Sequence, residues 1–112
     1  MEQAFESFME GWRDAEWSKV RTHMQLTGNT YGYNEQHLAE LLGSIQPVSW
    51  EIVSTVPLSP VMADIAARVT FDGVVHKRMT ARMVCESAMF TPDENGTWGV
   101  APLSVIGLDD DV

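Results

Sequence analysis

The stretch Ala63-Asp64-Ile65-Ala66-Ala67-Arg68-Val69-Thr70-Phe71-Asp72-Gly73-Val74-Val75-His76-Lys77-Arg78-Met79-Thr80-Ala81-Arg82-Met83-Val84-Cys85-Glu86 decides how this chain folds. Apolar and polar residues alternate through it, the period-2 pattern of half-buried strands, and the pattern breaks at Asp72-Gly73. Before the break the apolar set is Ala63, Ile65, Ala67 and Val69; after it, Val75, Met79, Ala81, Met83 and Cys85. Parity then tests the turn. A two-residue loop of Asp72 and Gly73 pairs odd positions with even ones and puts the two sets on opposite faces of the hairpin. A three-residue loop, Phe71-Asp72-Gly73 with Gly73 left-handed, returns both sets to one face. The other face then collects Asp64, Arg68, His76, Arg78, Thr80, Arg82 and Glu86. That ladder carries both signs of charge and is expected to be a solvated sheet face or a polar subunit interface.

Working outward, Trp50, Ile52 and Val56 alternate with Glu51 and Thr55 in a first strand expected to end at Pro57 to Pro60. The second strand is expected from about Met62 to Thr70, the third from about Val75 to Phe90 and the fourth from about Trp98 to Ile106. Asn95-Gly96 is the turn signal between the last two. Upstream of Pro47 the period is helical. Ala4, Phe5, Phe8, Met9 and Trp12 make one face of a helix from Glu2 to about Asp14, with Glu2, Glu6 and Glu10 opposite. A second helix is expected from Glu16 to about Gln25, capped by Asp14, with Trp17, Val20 and Met24 inward. After a glycine-bearing loop over Leu26 to Tyr33, Asn34 caps a third helix over roughly Glu35 to Gly43. Helices first and strands second predict an α+β domain, with three N-terminal helices packed on a mainly antiparallel four-stranded sheet.

At 112 residues the chain is read as one domain over 1–108 with an acidic tail at 109–112 that is expected to fray. Sixteen Asp and Glu against seven Lys and Arg give a net charge of -9, which argues against nucleic acid and against anionic membrane surfaces. The single cysteine, Cys85, excludes an internal disulfide, and His23, His37 and His76 lie on different elements without metal-ligand spacing. No metal and no cofactor are expected. The chain has no run of 18 apolar residues and no basic leader, so the expected location is the cytoplasm. The charge is unevenly spread. Residues 1–46 carry seven acids against three bases, while residues 47–108 carry six against four, with the arginines clustered. An anionic small ligand, or an acidic edge of a second subunit, therefore stays open.

The opening Phe5-x-x-Phe8-x-x-x-Trp12, the following Trp17, the short third helix, and a closing strand that begins Gly96-Thr97-Trp98-Gly99-Val100 resemble the nuclear transport factor 2-like superfamily. The resemblance runs from about residue 2 to 106. It implies a bent, curved sheet wrapped around the first helix as a cone with a pocket at its open end. Members include ketosteroid isomerase, polyketide cyclases, dehydratases, epoxide hydrolases and pocketed domains with no known reaction, so it implies fold more than function. Trp12, Trp50, Met79, Met83 and Trp98 are the expected lining of such a pocket, with plain core packing as the alternative.

Enzymes of that superfamily place a carboxylate or His in the cone as base and a Tyr or acid as donor to an oxyanion. The local candidates are Asp64, His23, Tyr31 and Tyr33, and each has an ordinary alternative. The tyrosines can anchor their loop, His23 can be a surface helix residue, and Asp64 can belong to the arginine ladder. Cys85 falls on the apolar face and reads as a buried small hydrophobe. The leading expectation is a non-catalytic domain, a homodimer through its sheet, holding a small apolar or weakly anionic molecule. The alternatives are a small lyase or isomerase of the ketosteroid isomerase or polyketide cyclase type, and a protein-interaction domain.

Overall fold

A computed structural model describes residues 1–24, 34–71, 75–87, 91–101, 104–105 and 109–110. Among the described residues it is an α+β fold with three helices and an antiparallel sheet of four main strands that does not close. Helix α1 spans Glu2–Arg13, α2 Trp17–Thr22 and α3 Glu35–Leu42. The strands are β1 (Pro47–Ser59), β2 (Met62–Phe71), β3 (Val75–Glu86) and β4 (Thr97–Val100), in that spatial order.

The α1 stripe is buried as its spacing requires: Phe5, Phe8, Met9 and Trp12 are all at most 1% exposed. Trp12 is also the hinge between the layers. Its ring meets Phe71 of β2 at 5.8 Å and Phe8 edge-on at 6.5 Å. Its indole Nε1 donates to the carbonyls of Leu42 and Ile45, both at 2.8 Å, tying α1 to the end of α3.

Asp14 does not cap α2. It closes α1 instead, and its carboxylate accepts from Arg13 Nε at 2.9 Å and Nη2 at 3.1 Å. The helix ends because Ala15 is left-handed (φ 55°), Glu16 N–H reaches back to Gly11 O at 2.8 Å, and Ala15 N–H to Trp12 O at 3.3 Å. That pair of bonds is the Schellman stop, with alanine in the position glycine usually takes. Asn34 does cap α3, accepting from His37 N–H at 2.8 Å.

Strands β2 and β3 pair without a register break from Met62↔Val84 to Phe71↔Val75. Odd residues face odd residues, so Ala63, Ile65, Ala67, Val69, Phe71, Met79, Ala81, Met83 and Cys85 are all buried against the helices. The parity argument holds, but its turn is displaced. Phe71 belongs to β2 and the connection is 72–74, so Asp72 and Gly73 lie outside the described residues.

Strand β1 departs from its expected alternation. It runs through Pro57, which pairs with Ala63, because an edge strand tolerates a proline on its open side. Register shifts at three places leave Val48, Val53 and Leu58 as extra residues, each a β-bulge. The bulge at Val53 inverts the parity. Trp50 and Ile52 face inward opposite Val69 and Ala67, but Val56 lands opposite Asp64 on the outer face.

Strand β3 stops at Glu86, since Ser87 N–H turns to Thr91 O at 2.9 Å. Asn95-Gly96 does sit in the turn before β4, where Gly96 N–H donates to Asp93 O at 2.9 Å. Glycine is required there by close approach, because a Cβ would overlap the carbonyl of Glu86. Strand β4 ends at Val100; Ala101 N–H then donates to Arg82 O at 2.9 Å and a short turn at Ser104 and Val105 follows. Within the expected acidic tail, the backbone at Asp109–Asp110 forms a two-residue strand, β5, opposite Arg78 and Lys77 of β3, and the residues on either side of it lie outside the described residues.

Candidate functional site

The two faces of the sheet have different fates. Of the expected pocket lining, Trp12, Met79 and Met83 are at most 1% exposed within the hydrophobic core, and Trp50 and Trp98 pack against it partly buried. Cys85 is also buried there, and burial pushes its thiol above the usual range.

The outer face is where polar chemistry gathers. Read across β1, β2 and β3, its rows are Ser49–Thr70–His76, Glu51–Arg68–Arg78, Ser54–Ala66–Thr80 and Val56–Asp64–Arg82. In the last of these the Arg82 fork grips Asp64, Nε to Oδ1 and Nη2 to Oδ2 at 3.3 Å. The Asp64 hydrogen bond and charge hold Arg82 even further above its ordinary value. Arg82 N–H also donates to Ser104 Oγ at 2.9 Å. Thr70 Oγ1 lies 3.1 Å from His76 Nδ1 in the first row.

Between the second and third rows a groove of about 360 Å³ opens, bordered by Val53, Ser54, Ala66, Arg68, Arg78 and Thr80. Arg68 and Arg78 are exposed and stand directly opposite each other. Sequence reasoning found both arginines but missed Val53 and Ser54, because a bulge has no signature in the alternation that β1 shares with its neighbours. A second groove of about 340 Å³ lies where α1 meets β1, along Glu6, Glu10, Arg13, Val48, Ser49 and Trp50. Its charges are already engaged. Trp50 Nε1 donates to Glu6 at 2.7 Å, Lys19 Nζ to Glu10 at 2.9 Å, and the Arg13 guanidinium lies 5.5 Å from the Trp50 ring centre.

The two described candidate catalytic residues, Asp64 and His23, lie in different layers. Asp64 is on the outer face in Arg82's grip, whereas His23 ends α2 in the helix layer, its carbonyl accepting from Val100 N–H at 3.0 Å. Burial, with Lys19 adding to it, moves the His23 ring below its ordinary value. Tyr31 and Tyr33 lie outside the described residues. Among the described residues no three His, Cys, Asp or Glu side chains come together as a metal site, and no helix is long and apolar enough to cross a membrane. No family model, curated protein or solved structure matches the chain.

Proposed function

We propose that this protein is a non-catalytic binding domain of the nuclear transport factor 2-like type. It acts as a homodimer paired through the outer face of its sheet and holds a small apolar or weakly anionic molecule. One observation carries the reading. The exposed large aliphatic side chains among the described residues, Val48, Val53, Val56 and Leu58, all belong to β1, beside rows that carry both Asp64 and Arg68. Apolar surface concentrated along one edge strand marks an interaction site more than singly scattered residues do. A face bearing both signs is self-complementary under a two-fold axis, which sets acids of one copy against bases of the other.

Sedimentation equilibrium is the direct test. The protein should run at twice its chain mass, and Val53→Asp combined with Val56→Asp should run as a monomer with an unchanged circular dichroism spectrum. A wild-type monomer up to millimolar concentration, or a variant that stays dimeric, overturns the pairing.

A further inference from the structure

We propose that the two-fold axis of the dimer runs parallel to the strands above β2, so that Glu51 of each copy pairs with Arg78 of the other and each copy's Val53 closes the other's groove. The proposal deepens the reading of the outer sheet face as a homodimer interface and rests on it.

The row Glu51–Arg68–Arg78 has an exposed acid at one end and an exposed base at the other. Neither Glu51 nor Arg78 has a hydrogen-bond or ion-pair partner among the described residues. Within the chain they stand on strands two spacings apart, about 10 Å, with Arg68 between them. Two sheets packed face to face also lie about 10 Å apart, but their side chains point at one another.

A two-fold axis parallel to the strands keeps every row at its own level and lays β1 of one copy over β3 of the other. Glu51 then faces Arg78 twice in the dimer, and Ser54 faces Thr80 in the next row. Strand β2 lies over itself. The charges it brings to the axis, Asp64 and Arg68, are each already engaged within their own chain, Asp64 by Arg82. An axis crossing the strands at Ala66 would reverse the rows, setting Arg78 against Arg82 and Glu51 against Val56, and both pairs would be lost.

Shape and charge favour the same axis. Val53, pushed out by its bulge to 60% exposure, sits on β1 between the second and third rows, which is the level of the groove. The axis carries it over the other copy's β3 between Arg78 and Thr80, both of which border that copy's groove. A ridge beside a groove on one patch is what an isologous interface requires. The face carries Glu51 and Asp64 against Arg68, Arg78 and Arg82, on a chain of net charge -9. Two such chains repel least where their local charge is not negative.

Sedimentation equilibrium on Glu51→Arg, on Arg78→Glu and on their equimolar mixture tests the axis. Each substitution acts twice in a symmetric dimer, so each variant alone should dimerise about a hundredfold more weakly than the unmodified chain, about tenfold per contact. The mixture should recover the dimer to within about tenfold, because one copy of each variant restores two contacts of opposite charge. A variant that had merely unfolded could not be rescued in this way. Full-strength dimers of both variants, or a mixture no tighter than the variants alone, overturn the axis. A monomeric unmodified chain overturns the pairing and the axis with it, whereas a dimeric one without rescue sinks the axis alone.

Discussion

Strands β1 and β2 lie side by side in one sheet, yet they obey the alternation rule differently. β2 is paired on both sides and keeps register through all ten of its pairs with β3. β1 is paired on one side and slips register three times in 13 residues. The difference is one of constraint. A one-residue slip in β2 would turn Ile65, Val69 and Phe71 out of the core in two ladders at once, whereas β1 can shed an extra residue toward its open side. The bulges also disrupt the flat edge that another strand would need for pairing.

Single-residue deletions break this comparison most sharply. Deleting Ala66 forces half of β2 to the wrong parity against both neighbours, so no cooperative thermal transition should remain. Deleting Val53 should cost about 1 kcal/mol or less, because every remaining β1 residue keeps its partner and only the bulge disappears. Thermal unfolding followed by circular dichroism reads both, and a folded Ala66 deletion would show that β2 is not register-locked.

Side-chain truncation gives the next largest contrast. Ile65→Ala, at a fully buried position, should lose about 2–5 kcal/mol in urea unfolding. Val56→Ala, on the outer face opposite Asp64, should stay within about 0.5 kcal/mol. If Val56 instead costs as much as Ile65, the parity inversion at Val53 is wrong.

These contrasts also mark what could be read from the residues alone. The faces of β2 and β3 were legible because apolar and polar residues alternate on either side of the break at Asp72-Gly73 and burial enforces the pattern. So was the charged ladder through Asp64 and Arg82, which is the complement of the same alternation. Val56 was not legible: Val53 resembles any other strand valine, and only its missing partner makes it a bulge. Pro57 misled for a related reason, since a proline stops a central strand but not an edge. The arginines of the candidate site were visible, while the groove needed Val53 and Ser54 from a strand whose register no local pattern records.

The helix layer has its own irregular point at Ala15. Holding a residue with a Cβ in the left-handed region costs about 1–2 kcal/mol, and glycine removes that cost while adding about 0.5–1 kcal/mol of backbone entropy. Ala15→Gly should therefore stabilise the protein by about 0.5–1 kcal/mol in urea unfolding. A loss would mean that the α1 stop is not held by the left-handed residue.

The smallest effect concerns the other edge of the sheet. Where no described strand pairs the outer side of β1, the edge of β4 is covered by the end of α2: Met24 bridges Val100, and the His23 carbonyl accepts from its N–H. Burial first, and the positive charge of Lys19 second, lower the folded pKa of His23, while Glu10 pulls weakly the other way. The unfolded chain then binds the proton more readily, near its ordinary value of about 6.5. Stability is accordingly fully present above that pH and erodes as the pH falls through it toward the lowered folded value. His23→Gln leaves this covered edge neutral at every pH. Its urea midpoint should fall less between pH 7 and about pH 5 than that of the unmodified chain, with the two converging above pH 7. Parallel profiles would mean that protonating this histidine does not strain the seam between α2 and β4.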